Sequence, residues 1–137
     1  MHPSAREVAE RFLAVTAGGD LAALADFFSE DSVIEIPFTP DGVPFRFEGR
    51  EGHRARFERA GAVLRQDRLE NVVLHETTDP EVVIAEYDLH GHVLSSGQPF
   101  ASTYVMVMRI RDGLIVHSRD YADPRRAAGY QDELAAS

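Results

Sequence analysis

The sequence predicts a single α+β domain in which helices precede a curved, mostly antiparallel sheet. Apolar residues recur at helical spacing in the first part of the chain, whereas four long alternating segments separated by turn residues fill the second part. Helices followed by consecutive strands are typical of the α+β class with an antiparallel sheet. A length of 137 residues is ordinary for one domain, so we expect residues 1–137 to form one unit.

Three helices are predicted from their start signals and their periodicity. Ser4 followed by Glu7 has the spacing of a capping box, and the apolar positions behind it run to Gly18. Asp20 is a suitable N-cap for a second helix. A third helical pattern covers 51–64 and places His53 on the same side as the aromatic ring at position 57.

The remaining segments are predicted to be strands joined by tight turns. A β-branched run at 33–38 and a short extended piece at 45–47 flank a proline-containing loop. Four long strands are expected at 67–77, 81–94, 99–111 and 114–122, and Asp112-Gly113 is a strong hairpin signal between the last two. The alanine-rich tail at 124–137 is compatible with a short helix.

The composition excludes several classes of function. All 14 basic residues are arginine and cysteine is absent, which excludes a lysine Schiff base, a thiolate nucleophile and sulfur-rich metal sites. The net charge of −9 disfavours nucleic acid and anionic membranes as partners. We find neither a membrane-spanning apolar run nor a signal peptide, and we expect a cytoplasmic protein without cofactor or metal.

Three motifs in the expected order resemble one known group of proteins. They are the segment 31–37 (Asp-Ser-Val-Ile-Glu-Ile-Pro), the segment 47–52 (Phe-Glu-Gly-Arg-Glu-Gly) before a helix, and the segment 112–124 from Asp-Gly to Asp-Pro. The chain resembles SnoaL-like and ketosteroid isomerase-like domains of the cystatin-like, nuclear transport factor 2-like fold. Phenazine-biosynthesis A/B proteins and limonene epoxide hydrolase are similar to it. The resemblance implies a conical pocket, a homodimer through the outer sheet face and no single reaction.

The resemblance and the period of two along a strand together predict which acids enter the pocket. Asp120 matches an inward acid of limonene epoxide hydrolase, and its face then includes Ser118. Asp88 matches a second acid of that enzyme, and its period-two neighbours are Glu86 and His90. If the register of this strand is shifted by one residue, these three side chains form a solvated face instead.

Other pocket residues are predicted in the same way. On the strand 99–111 the inward side chains are expected to be those of Ser102, Tyr104, Met106 and Met108. Phe12, Ile36 and Met106 occupy positions where ketosteroid isomerases carry a tyrosine, the base and an acid, so we expect apolar lining there instead of that activity. His53 is predicted to lie either in the pocket or at its rim.

These residues suggest acid–base catalysis on an apolar, oxygenated metabolite such as a polyketide or a terpenoid. Either Asp120 or Asp88 would act as general base and the other, protonated, as general acid, because two carboxyl groups in one site raise the pKa of one of them. His90 would orient the substrate or stabilise an anion. Glu86 stands where limonene epoxide hydrolase needs an arginine, so its mechanism does not transfer unchanged. The alternative is a binding domain of the same fold that performs no chemistry.

Overall fold

The computed structural model describes residues 1–18 and 20–123, which form two α-helices, one short 3₁₀ helix and a six-stranded sheet. In chain order the elements are α1 (Ala5–Thr16), the 3₁₀ helix (Ala22–Phe27), β1 (Phe28–Glu35), β2 (Arg46–Glu48), α2 (Arg50–Gly61), β3 (Leu64–Glu76), β4 (Val82–Val93), β5 (Pro99–Arg111) and β6 (Leu114–Ala122). The predicted α+β class is confirmed. The tail at 124–137 lies outside the described residues.

The sheet has the strand order β2-β1-β6-β5-β4-β3. All neighbouring strands are antiparallel except β1 and β6, which are parallel. The register shifts in the β3–β4 pair between Gln66 and Arg68, and in the β5–β6 pair between Arg109 and Ile110. Such bulges bend a strand and increase its twist, which lets one sheet wrap around a pocket.

The helix α1 begins at the predicted capping box and covers the inner face of the sheet. The backbone N–H of Glu7 donates a hydrogen bond to Ser4 Oγ over 3.2 Å, which satisfies one of the unpaired donors of the first turn. Val8 and Phe12 lie one turn apart on the buried side of the helix and join the main hydrophobic core. Burial of this apolar side holds the helix against the sheet.

Two element predictions differ from the structure near residue 28. The helix expected after Asp20 is a 3₁₀ helix, and β1 starts at Phe28, five residues before the predicted strand. Phe28 is 1% exposed and pairs with Ile115 of β6, so tertiary packing extends the strand into the Phe27-Phe28 segment. The strand ends at Glu35, two residues before Pro37, which has no N–H to continue the ladder.

The inner and outer faces of the sheet differ in chemistry. Along β4 the buried side chains alternate with more exposed ones, and the inner set consists of Val83, Ala85, Tyr87, Leu89, Gly91 and Val93. The helices α1 and α2 pack on this inner side. Neither helix in the described part of the chain is long and apolar enough to cross a membrane.

Gly91 is required where β3 passes closest to β4. A Cβ atom at this position would stand 2.2 Å from the carbonyl oxygen of Arg65 and 2.6 Å from Cζ of Phe100. We predict that Gly91→Ala lowers the free energy of unfolding by about 1–3 kcal/mol, because the strand backbone must move to admit the methyl group. Urea denaturation monitored by circular dichroism measures the change.

The control for this substitution is Gly52→Ala in α2, where an added Cβ meets no atom within 4 Å. Alanine favours the helix over glycine, so this variant should be as stable as the wild type or more stable by up to about 1 kcal/mol. Equal destabilisation of both variants would contradict the assigned close approach at Gly91.

Candidate active site

A partly open, mostly apolar cavity of about 160 Å³ lies between the inner face of the sheet and the helices. Its walls are formed by Phe12, Thr16, Leu21, Leu24, Phe28, Ile34, Phe57, Ala60, Gln66, Tyr87, Leu89, Tyr104, Met106 and Asp120. Asp120 is the only acidic or basic residue among these described lining residues. A cavity of this size accommodates a ligand built around one ring, since an engineered cavity of about 150 Å³ is known to bind benzene.

Asp120 enters the cavity from β6, the third strand in the sheet order. It pairs across the sheet with Met106 of β5, whose side chain also lines the cavity. Its inner-face neighbour Ser118 is fully buried and donates a hydrogen bond from Oγ to Asp120 Oδ1 over 2.5 Å. The strand therefore holds the carboxyl group in a fixed orientation at the cavity wall.

Burial controls the ionisation of Asp120. The residue keeps a small accessible surface, but its carboxyl group is densely surrounded by protein, and this raises its pKa from 3.8 to about 6. The hydrogen bond from Ser118 and the charges of Arg56 and His117 act in the opposite direction, because they favour the carboxylate. Asp120 therefore exchanges its proton close to neutral pH, where a general base or acid works best.

Among the charged groups that act on Asp120, Arg56 of α2 has the largest effect, and it favours the carboxylate. The sequence patterns did not identify this residue. Its guanidinium carbon lies 3.7 Å from the centroid of the Phe47 ring and 5.6 Å from that of Phe57, which lines the cavity. Arg56 follows His53 by three residues, so the helical period that identified His53 could also have identified Arg56.

The residues predicted on β5 face inwards, but they do not all reach the cavity. Tyr104 and Met106 form part of its wall. The side chains of Ser102 and Met108 are 1% and 0% exposed and lie within the packed inner face. Their surroundings are those of core residues, so the predicted role in substrate binding has structural support only for Tyr104 and Met106.

The predicted inward orientation of Asp88, Glu86 and His90 is wrong, because the structure places all three on the outer face of β4. Asp88 accepts hydrogen bonds from Asn71 and Thr103, both over 2.7 Å. The other two form pairs with residues of β3: Glu86 with His75 at 2.5 Å and His90 with Glu70 at 3.3 Å. The expected pair of acids is therefore not assembled.

The prediction was wrong because the assignment of inward and outward side chains along β4 was shifted by one residue. Tyr87 and Leu89 take the inward positions of β4, and both line the cavity. Since side chains alternate across a strand, moving the assignment by one residue transfers every polar group of β4 to the other face. The solvated-face interpretation of Asp88, Glu86 and His90 is the one that the structure supports.

His53 is a core residue rather than a cavity or rim residue. It is 0% exposed, its Nε2 lies 3.1 Å from Ser32 Oγ, and its ring packs edge-on against Phe28 at a centroid distance of 5.2 Å. Burial, with a smaller contribution from the charge of Arg56, lowers its pKa, which keeps the imidazole neutral. The pair between His53 and Ser32 joins α2 to β1.

Two apolar positions named from the ketosteroid isomerase comparison have different surroundings. Phe12 forms part of the cavity wall, as expected. Ile36 follows the end of β1, where its N–H donates to the carbonyl of Phe45 over 2.7 Å and its side chain packs against the core cluster. The predicted contact of Ile36 with substrate therefore has no support from the cavity itself.

Comparison with known proteins identifies the family. Residues 9–118 match the family model of the SnoaL-like domain, which covers most of the chain. The chain belongs to the SnoaL-like family. The resemblance inferred from the three sequence motifs is thereby confirmed.

Relatives and solved structures agree with this membership. An uncharacterised PhzA/B-like protein of Pseudomonas aeruginosa is 35% identical over 126 residues, which cover 90% of this chain and 86% of that protein. The crystal structure of a proposed isomerase from Bacillus subtilis has a TM-score of 0.84 and 28% identity and covers 93% of this chain and 92% of that one. A proposed polyketide cyclase from Pseudomonas putida has the same fold, with a TM-score of 0.79, 22% identity and coverage of 93% and 97%.

The raised pKa of Asp120 predicts a pH-dependent effect on stability. A carboxyl group with a higher pKa in the folded state stabilises the fold fully below pH 3.8, and this contribution is lost as the pH rises through about 6. Asp120→Asn removes the titration and keeps an acceptor for Ser118. We predict that the free energy of unfolding of the variant, relative to wild type, is higher at pH 8 than at pH 4 by on the order of 2–3 kcal/mol.

Urea denaturation of both proteins at the two pH values measures this difference. Taking the difference between variant and wild type cancels the contributions of the other titrating groups. A difference that does not change with pH would show that Asp120 is solvated like a surface carboxylate.

Proposed function

We propose that this protein is a cofactor-independent enzyme that moves protons on a small, apolar, oxygenated molecule held in the cavity, with Asp120 as the general base. The observation that carries the proposal is a single carboxyl group, with a pKa of about 6, in an otherwise apolar cavity. The reaction classes that fit are isomerisation and ring closure, in which one group removes a proton and returns it elsewhere. No second carboxylate is needed for such a cycle.

The physical basis is the poor solvation of the carboxylate. In water a carboxylate is a weak base because hydration stabilises its charge, whereas a cavity walled by Phe12, Phe28, Ile34 and Met106 supplies little of that stabilisation. Above about pH 6 Asp120 is ionised and can remove a proton from carbon next to a carbonyl group. The carboxylic acid formed in this step then protonates the resulting enolate at another atom, which restores the carboxylate.

The developing negative charge on the substrate oxygen needs a hydrogen-bond donor. Tyr104 lines the cavity and stacks on Tyr87 at a centroid distance of 5.5 Å, and the Tyr87 hydroxyl lies 3.2 Å from Met106 Sδ. Both tyrosines line the cavity, and a phenolic O–H that meets a substrate oxygen donates a hydrogen bond to it. We therefore assign this donor role to the tyrosine pair, in place of His90.

The comparisons support this class of reaction. The Bacillus subtilis protein is described as a proposed isomerase and the Pseudomonas putida protein as a proposed polyketide cyclase. Isomerisation of an enone and ring closure through an enolate both begin when a base removes a proton next to a carbonyl group. A polyketide or terpenoid intermediate with a single ring fits the apolar lining and the size of the cavity.

The test uses 3-cyclohexen-1-one, a single-ring ketone that becomes 2-cyclohexen-1-one when a proton leaves C2 and returns to C4. We predict that the wild type accelerates this conversion, measured by ultraviolet absorbance, and that the rate rises with pH through about 6 as Asp120 ionises. Asp120→Asn should reduce the enzymatic rate by about 100-fold or more, since general base catalysis is worth about 10²–10⁴.

The matched control is Asp88→Asn, which removes a carboxylate from the outer face and should leave the rate unchanged. An Asp120→Asn variant with the rate of wild type would refute the role of Asp120. A wild type that binds the ketone, as seen by NMR, without converting it or exchanging its C2 protons for deuterium would favour the non-catalytic binding function.

We also propose that the protein forms a homodimer through the outer face of the sheet, as the family resemblance implies. On this face polar side chains of β3 and β4 pair with one another, for example His92 with Asp67 at 2.8 Å and His75 with Glu86. Polar groups that are already paired cost less to remove from water. Light scattering should give a mass twice the 15.2 kDa of one chain, and a monomeric mass at micromolar concentration would contradict the proposal.

A further inference from the structure

The guanidinium group of Arg56 is a partly buried cation that lies against the rings of Phe47 and Phe57. Its Nε–H is buried and has no hydrogen-bond partner. Within residues 1–18 and 20–123, no carboxylate oxygen lies within 4 Å of its nitrogen atoms. By contrast Arg54, two residues earlier on α2, donates to Asp26 over 2.8 Å and to Glu51 over 3.1 Å.

The sheet register places Arg56 and Asp120 on opposite sides of one part of the cavity wall. Phe47 of β2 pairs with Ile34 of β1, and Ile34 pairs with Ser118 of β6. These three side chains therefore form a row across the inner face, about 10 Å long at the usual strand spacing. Arg56 covers the Phe47 end, Asp120 adjoins the Ser118 end, and Ile34 between them lines the cavity.

Asp120 acts on Arg56 only as a charge at longer range, because no carboxylate of the described residues lies within ion-pair distance of the guanidinium. A partly buried charge without a direct anionic contact is costly, which is why most buried charges are paired. The ring of Phe47 offsets only part of this cost through the cation–π contact. Burial lowers the pKa of Arg56 to about 10, so the group remains a cation at neutral pH. A guanidinium carries a planar fork of N–H donors that matches the two oxygens of a carboxylate.

We propose that Arg56 binds an anionic oxygen of the ligand, so that the cavity takes small ring compounds bearing a carboxylate. The apolar ring of such a compound occupies the cavity beside Ile34 and Phe57, and its carboxylate meets the free Nε–H at the Phe47 end. Asp120 then faces the ring carbons at the other end. The position of the reacting ring carbons rests on the proposed function, whereas binding of the carboxylate by Arg56 is measured without any turnover.

The test compares benzoate with benzamide, which share one ring and one shape and differ in charge. In an NMR titration at pH 7 we expect wild type to bind benzoate at least about 10-fold more tightly than benzamide, since a charged hydrogen bond contributes about 1.5–3 kcal/mol. The ¹⁵N resonance of Arg56 Nε should move on addition of benzoate and remain in place with benzamide. Because this resonance is measured in wild type, the result does not depend on any substitution.

Substitutions then assign the selectivity to one residue. Arg56→Met should reduce the affinity for benzoate by about 10- to 100-fold and leave that for benzamide unchanged, while Arg56→Lys should restore part of the loss. Arg54→Met is the matched control, because Arg54 lies on the same helix but is already paired, and it should leave both affinities unchanged. Circular dichroism verifies that each variant is folded.

Three results would overturn the proposal. They are equal affinities of wild type for the two probes, unchanged benzoate affinity in folded Arg56→Met, and an Arg56 resonance that does not respond to benzoate. If Arg56→Met is unfolded, the comparison of probes and the resonance in wild type still decide the question. Asp120→Asn should keep its preference for benzoate even if the cyclohexenone test fails, which separates the failure of this proposal from the failure of the proposed function.

Discussion

Two opposing influences, burial and local polar contacts, determine the pKa of Asp120. Burial alone would keep the carboxyl group protonated, whereas the Ser118 hydroxyl and the charge of Arg56 stabilise the carboxylate. Burial outweighs the opposing contacts, so the pKa rises from 3.8 to about 6 and lies near neutrality. The fold maintains the balance by placing Asp120 on a paired inner strand, where both its neighbours and its distance from solvent are determined by the register of β5 and β6.

The sheet separates two kinds of polar chemistry. On its outer face, acids and imidazoles are close together and neutralise each other, as in the hydrogen bond of 2.6 Å between His117 and Glu35. That contact is the largest cause of the lowered pKa of Glu35. On the inner face, polar groups are few and some are held by a specific neighbour, as His53 is by Ser32. A reactive carboxyl group can therefore exist only on the inner face, where it is not neutralised by a surface cation.

A single acid in the cavity changes the mechanism that the fold can support. Two carboxyl groups could divide the work of acid and base, but Asp88 lies on the opposite face and cannot share a site with Asp120. One group must then act first as base and afterwards as acid on the same substrate. That requirement favours reactions in which the proton is returned, and under the proposed function the tyrosine pair stabilises the negative charge between the two steps.

The fold was predictable from the sequence because its signals are local. The capping box at Ser4, the hairpin turn at Asp112-Gly113 and the period of two in the long strands depend only on neighbouring residues, and the structure has helices and strands in those places. The inward position of Asp120 followed from the same period and one family match. The alternation along β4 also contained the correct register, since from Ala85 to Val93 its apolar residues have odd numbers, but the match of Asp88 to a relative's acid indicated the other face.

What the sequence could not determine is which side chains from distant elements meet. Arg56, Phe47 and Asp120 come from α2, β2 and β6, and their arrangement depends on the pairing of β1 with both β2 and β6. The size of the cavity and the enclosure of Asp120 likewise result from packing of the helices on a bent sheet, which no local pattern encodes. Composition and periodicity therefore determined the class of fold and the candidate acid, while strand register and helix packing decided the surroundings that control its pKa.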